Sequence, residues 1–114
     1  MDDVRLPTHL EVSAWRRAVE AAGGFATVLH SGDREAGSVL LLTIENGGNP
    51  RLWERLPSLD GQRSFTLIST QVIENQQETT TYLERRAQQD PDLWIVELDI
   101  PKPERFIDIR PPVV

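Results

Sequence analysis

Leu93-Trp94-Ile95-Val96-Glu97-Leu98-Asp99-Ile100 is the stretch on which the fold turns. Successive side chains of an extended chain point to opposite faces, so Trp94, Val96, Leu98 and Ile100 share one side and Leu93, Ile95, Glu97 and Asp99 the other. Pro101 and Pro103 stop the strand, because proline has no N–H to give a ladder. A second run, Val39 to Ile44, is apolar without alternation, as expected of a strand buried on both faces.

Working outward, Asn46-Gly47-Gly48-Asn49-Pro50 is a hairpin signal, and Arg51 to Leu56 alternates as a half-exposed strand closed by Pro57. Asp60-Gly61 supplies a turn, and Ser64 to Ser69 a short strand with Phe65 and Leu67 on one side. Upstream, Phe25 to His30 reads as a strand that ends at the turn Ser31-Gly32-Asp33. Thr8-His9-Leu10-Glu11 fits a capping box, and Val12, Trp15, Val19 and Ala22 follow at helical spacing until Gly23-Gly24. Asn75-Gln76-Gln77-Glu78 matches a second capping box, ahead of Tyr82, Leu83 and Ala87. Arg105 to Ile109 is expected to form a last edge strand.

The order helix, three or four strands, helix, strand predicts an α+β fold, with two helices on one face of a mainly antiparallel sheet of four or five strands. At 114 residues the chain has room for one core. Residues 1–114 are expected to form a single domain, with a core region over 6–100 and a Pro-rich tail over 101–114.

Composition excludes several chemistries. There is no cysteine, hence no disulfide, thiolate nucleophile or iron–sulfur ligation. Twelve basic against eighteen acidic residues give a net charge of −6, with Lys102 the sole lysine, which disfavours nucleic acid as a partner. A double-stranded-RNA-binding domain has a related element order but needs lysines at the start of its second helix, where this chain has Glu74, Asn75 and Glu78. The start Met-Asp-Asp-Val-Arg is acidic where a signal peptide would be basic, and the longest aliphatic run is Val39-Leu40-Leu41-Leu42. The expectation is a soluble, cytoplasmic protein without a membrane partner.

The segments Glu11 to Gly24, Gly32-Asp33-Arg34-Glu35-Ala36-Gly37 and Asp90-Pro91-Asp92-Leu93-Trp94-Ile95-Val96-Glu97 together resemble domain-of-unknown-function family DUF1491, small proteins of alphaproteobacteria. The resemblance runs from about Leu6 to Asp99 and is most specific at Asp90 to Glu97, while the tail after Ile100 reads as particular to this chain. It implies a bacterial cytosolic origin and brings no activity, cofactor or catalytic residue.

Chemistry-bearing residues read more simply as structure. His9 and His30 are isolated, and His9 and Glu11 diverge by about 200° on a helix, which is no metal site. No nucleophile elbow, dinucleotide loop or P-loop occurs. Asp90 and Asp92 flank Pro91 in a turn between helix and strand, and Gly32-Asp33 belongs to a β-turn. No catalytic, cofactor-binding or metal residue is assigned, and no cofactor is expected.

The candidates are for interaction instead. Trp53 lies between Arg51 and Arg55 on the wetter side of its strand, the composition of an interface hot spot. Arg85 and Arg86 oppose the negative end of the second helix. Leu42 and Ile95 point to a second sheet face that the tail covers only in part, which predicts a homodimer or another protein partner. The preferred function is therefore a non-enzymatic interaction or self-associating module. The alternative is a small enzyme or ligand binder working with Asp, Glu and Arg side chains.

Overall fold

A computed structural model describes residues 6–55, 64–68 and 76–107. Two helices and five strands follow one another as α1 (Thr8–Ala21), β1 (Phe25–His30), β2 (Val39–Glu45), β3 (Gly48–Arg55), β4 (Thr66–Leu67), α2 (Gln76–Gln89) and β5 (Trp94–Asp99). A 3-10 turn, Pro103–Phe106, follows β5. The fold is α+β, in the element order expected.

The sheet runs β1-β5-β2-β3-β4. Asn46 and Gly47, both at positive φ, form the two-residue turn that joins β2 to β3 with the twist a hairpin needs. β5 then enters between β1 and β2, antiparallel to the first and parallel to the second. The remaining pairs are antiparallel.

The helices differ from the sequence reading in one respect: they take opposite faces rather than sharing one. α1 brings Val12 and Val19 onto Val39, Leu41, Trp53, Trp94, Val96 and Leu98. α2 brings Leu83, with Tyr82 and Ala87, onto Leu40, Leu42, Leu52, Leu93 and Ile95. The physical reason is the two-sided apolarity of β2 and β5, since each face needs its own cover. Phe106 and Ile107 pack on the α1 side.

The tail also departs from the expected edge strand. Lys102 turns through φ 52°, and Pro103–Phe106 coil as a 3-10 turn because Pro101 and Pro103 lack the donors a ladder requires. Ile109 lies outside the described residues, as do Leu56, Pro57, Asp60-Gly61, Ser69 and Asn75. Phe65 is buried while Leu67 is 45% exposed, so these two do not share an environment.

The first capping box does not form. Pro7 takes the N-cap position, and the N–H groups of Thr8 and His9 donate to the carbonyls of Glu35 and Arg34. Thr8 Oγ1 is directed at the carbonyls of Glu35 and Gly37 at 3.4 Å. The loop after β1 thus satisfies the free donors of the helix, and Glu11 is released to bind Arg55.

That loop is held against the turn before β5. Asp33 N–H donates to the Asp92 carbonyl, Trp94 N–H to Ser38, and the Trp94 indole N–H to the Asp33 carbonyl at 2.7 Å. The Asp33 and Asp90 carboxylates accept the N–H groups of Ala36 and Asp92. Two of the segments that carry the family resemblance, Gly32 to Gly37 and Asp90 to Glu97, therefore meet at one end of the sheet, beside the start of α1. A Cβ on Gly32 would stand 2.0 Å from the Asp92 carbonyl oxygen, a backbone atom that cannot swing away. Gly32→Ala should cost about 2–3 kcal/mol through forced displacement of the turn. A shift in urea midpoint matching less than ~0.5 kcal/mol would show that the two loops are not locked together.

Candidate functional site

On the second face α2 packs over Leu42, Leu52 and Ile95, leaving the edge strand β1 uncovered by either helix on that side. Beside it, an open groove of about 570 Å³ runs along the helix. Gln76, Thr80, Leu83, Glu84, Ala87 and Gln88 form one wall at helical spacing, Leu42 and Ile95 the floor, and Leu29, His30 and Glu97 the far side. The groove exists because Arg86 anchors the helix toward β3: its guanidinium binds Glu54, with Nη2 2.5 Å from Oε2, and lies over Tyr82.

Its walls combine apolar surface with two carboxylates. Leu29 is 46% exposed, and Phe25, four residues earlier in β1, is 72% exposed. Glu97 stands half-buried in mid-strand with Leu42 and Thr27 as its neighbours across the sheet. Burial, and then the charge of Asp99, raise its pKa above the ordinary glutamate value. Glu11, Glu45, Glu54 and Glu104 each hold an arginine, whereas neither Glu84 nor Glu97 has an ion-pair partner among the described residues. His30 Nδ1 sits 2.6 Å from the Leu93 carbonyl and donates to it.

The raised pKa sets a pH dependence. The folded carboxyl of Glu97 holds its proton more tightly than the unfolded one, so the native state binds more protons just above the ordinary glutamate range. Stability contributed by this residue therefore falls as pH rises through that window. Glu97→Gln should make the protein more stable at neutral pH and remove that fall, as read from urea unfolding between pH 4 and pH 7. A variant less stable than wild type at pH 7 would mean the carboxylate is favourably solvated or paired.

A second cavity, about 340 Å³, opens between α1, the end of β3 and the 3-10 turn. Arg55 closes it with a two-point bond to Glu11, both contacts at 2.9 Å, and lies over the rings of Trp15 and Phe65. Trp15 and Phe65 meet edge to face at 5.7 Å. Arg55 and Glu11 bind each other, so this cavity presents no uncommitted acid or base from that pair.

The interaction candidates fall out unevenly. Trp53 is buried, its indole N–H donating to Thr43 Oγ1 and Arg51 lying 5.3 Å above its ring. Arg51 is held in turn by Glu104 and Glu45, with the Glu104 bond the main reason its pKa is raised. The wet face expected from Arg51, Trp53 and Arg55 is thus a core face roofed by the 3-10 turn. Leu42 and Ile95 are buried under α2 at the bottom of the groove. Arg86 is a tether, and Arg85 is exposed. The structure brings Leu42 and Ile95 together and leaves Trp53 and Arg85 elsewhere. Leu29, His30, Thr80, Glu84 and Glu97 join the site without having been singled out for it, although an acidic residue following Ile95 on an apolar strand face was a visible signal.

Among the described residues, no helix is long and apolar enough to cross a membrane, and no group of three or more histidines or acids could hold a metal ion.

Comparison with solved structures finds close likeness over almost the whole chain. The solution structure of protein Atu0922 from A. tumefaciens matches with TM-score 0.77 and 28% identity, covering 96% of this chain and 100% of that one. A crystal structure of a DUF1491 family protein from Caulobacter crescentus CB15 matches with TM-score 0.74 and 30% identity, over 93% and 100%. An NMR structure of a DUF1491 family protein from the same organism matches with TM-score 0.79 and 31% identity, over 96% and 100%. No curated protein matches. The family model spans residues 6–108, so the likeness continues past Asp99 through the 3-10 turn, and the chain belongs to the family described as protein of unknown function, DUF1491.

Proposed function

We propose that this chain is a non-enzymatic protein-interaction module, and that the groove beside α2 receives a segment of its partner. The observation that carries the reading is the groove itself: a cleft along α2 whose far side carries the exposed Leu29, next to exposed Phe25 on the edge strand β1. Contiguous apolar surface with a polar border is the usual mark of a docking site. Glu97 supports it, since a half-buried carboxylate with no ion-pair partner among the described residues costs stability, and such costs collect where function needs them. The enzymatic alternative needs acids and arginines that converge, whereas Arg51, Arg55 and Arg86 are each bound to a glutamate outside the groove.

Filling the groove tests the reading. Thr80 is an exposed wall residue, so Thr80→Trp should leave the fold intact and occlude the space. Proteins captured from the native bacterium by wild type should be lost from this variant, as read by quantitative mass spectrometry. An unchanged set would reject the groove as the docking site.

Self-association is a second reading, favoured by β1. This strand is at the sheet edge and carries neither proline nor a charged residue, the usual guards against pairing with another copy. Sedimentation at micromolar concentration should then report a dimer, and Phe25→Lys a monomer. A wild-type monomer up to several hundred micromolar would remove this reading and leave the groove proposal standing.

A further inference from the structure

We infer that the far side of the groove is completed by a second copy of this chain, whose β1 pairs antiparallel with β1 about a two-fold axis at Thr27 and sets the partner's Phe25 beside Leu29. This rests on the self-association reading and adds its register and its consequence for the groove.

The sheet leaves one edge that can be extended. Among the described residues β4 offers only Thr66–Leu67, whereas β1 runs from Phe25 to His30, roughly 20 Å of strand. A free strand edge presents unpaired N–H and C=O groups that a further strand can take up. Phe25 and Thr27 lie opposite Asp99 and Glu97, hence on the α2 side of the sheet, and Leu29 lines the groove on that side. All three are exposed. Ala26 and Val28 pack on the α1 side. The register with β5 is irregular between Val28 and His30, at the end of the strand, and leaves Phe25 to Val28 regular.

These sides select a register. Residues directly opposite in an antiparallel pair share a face, so the two-fold axis must pass at a residue rather than between two. With the axis at Thr27, Phe25 stands against the partner's Leu29 and Leu29 against the partner's Phe25, while Ala26 meets the partner's Val28. Each exposed apolar side chain then covers the other, as cross-strand pairs do within a sheet. An axis at any other residue of β1 does not match Phe25 with Leu29. The strand carries no lysine, arginine or acidic residue, so the −6 of each copy is not concentrated at the contact. One strand from each copy buries well under the ~800 Å² per partner of a standard interface, which makes the dimer weak and reversible. In it the sheet runs on through both copies, and the groove gains an aromatic neighbour past Leu29.

The chain has no cysteine, so single-cysteine variants report the register directly. Opposed Cα atoms lie about 4.5–5.5 Å apart, within reach of a disulfide, whereas residues two positions from the axis are about 13 Å from their own copies. On mild oxidation of the full chain, Thr27→Cys should form a linked dimer about tenfold faster than Arg16→Cys, an exposed position on α1. Phe25→Cys and Leu29→Cys should each stay at the Arg16→Cys rate alone and link to one another when mixed, since one Phe25–Leu29 pair remains to hold that dimer. Sedimentation of wild type should show the dimer fraction rising with salt, because the charge of each copy opposes association.

Other outcomes overturn the assignment in distinguishable ways. A wild-type dimer with Thr27→Cys at the Arg16→Cys rate, or with Phe25→Cys linking to itself, would reject this register while keeping self-association. A dimer fraction that falls with salt would mean that charged surface rather than β1 joins the copies. A wild-type monomer up to several hundred micromolar would remove both this inference and the reading it rests on.

Discussion

Trp94→Ala should destabilise the protein by about 3–5 kcal/mol, the range for truncating a buried large aromatic side chain. Trp94 packs on the α1 side of the sheet with Val39, Val96 and Leu98, and it also bridges strand and loop through its indole N–H to Asp33. Removal leaves a cavity and an unsatisfied carbonyl together, while Gly37 loses the ring edge that its backbone approaches closely. Trp94→Phe should lose less, since it keeps most of the apolar volume and gives up the hydrogen bond. Urea unfolding of both variants separates the two terms. A loss under ~1 kcal/mol for Trp94→Ala would mean that the loop and the turn hold without the indole.

Arg55→Ala should have a comparable effect, about 3–5 kcal/mol, for an electrostatic reason. The pair joins α1 to the end of β3, with side chains 7% exposed for Arg55 and 16% for Glu11. Deleting the guanidinium strands a carboxylate in a poorly solvated place and removes the flat cap over Trp15 and Phe65. The double variant Glu11→Leu with Arg55→Met should recover most of the loss, because a buried ion pair is often no better than apolar residues of similar volume. If the single and double variants are equally destabilised, the contribution of Arg55 is packing on the rings rather than the pair.

Much of this fold is legible in the text of the sequence, element by element. The alternation from Leu93 to Ile100 names β5 and both of its faces, and Asn46-Gly47 names the hairpin, because both signals are local. The place of β5 between β1 and β2 is not legible, since nothing in a strand's own residues says which neighbours it will have. Helix placement follows the same rule: two-sided apolar strands demand two covers, yet nothing local to α1 or α2 assigns either helix to a face.

The site was harder to read, for a related reason. Arg51 and Arg55 make the face around Trp53 look wet, but each is neutralised by a glutamate from a distant element, Glu104 or Glu11. Thr8 and Glu11 look like a cap because the carbonyls of Glu35 and Arg34, which displace it, arrive from a loop more than twenty residues away. Glu97 gave a local sign, a carboxylate on the Ile95 side of an apolar strand, but its isolation appears only when Glu11, Glu45, Glu54 and Glu104 are seen to have claimed arginines.

Site-specific photo-crosslinking in the native bacterium is the most direct test of the proposed partner in the groove beside α2. A photoreactive phenylalanine placed at Thr80, on the groove wall, and at Arg16, on the exposed side of α1, reports contact at each position in turn. A discrete adduct of higher mass is expected from position 80 and none from position 16. Adducts of equal yield from both positions, or none from position 80, would contradict it.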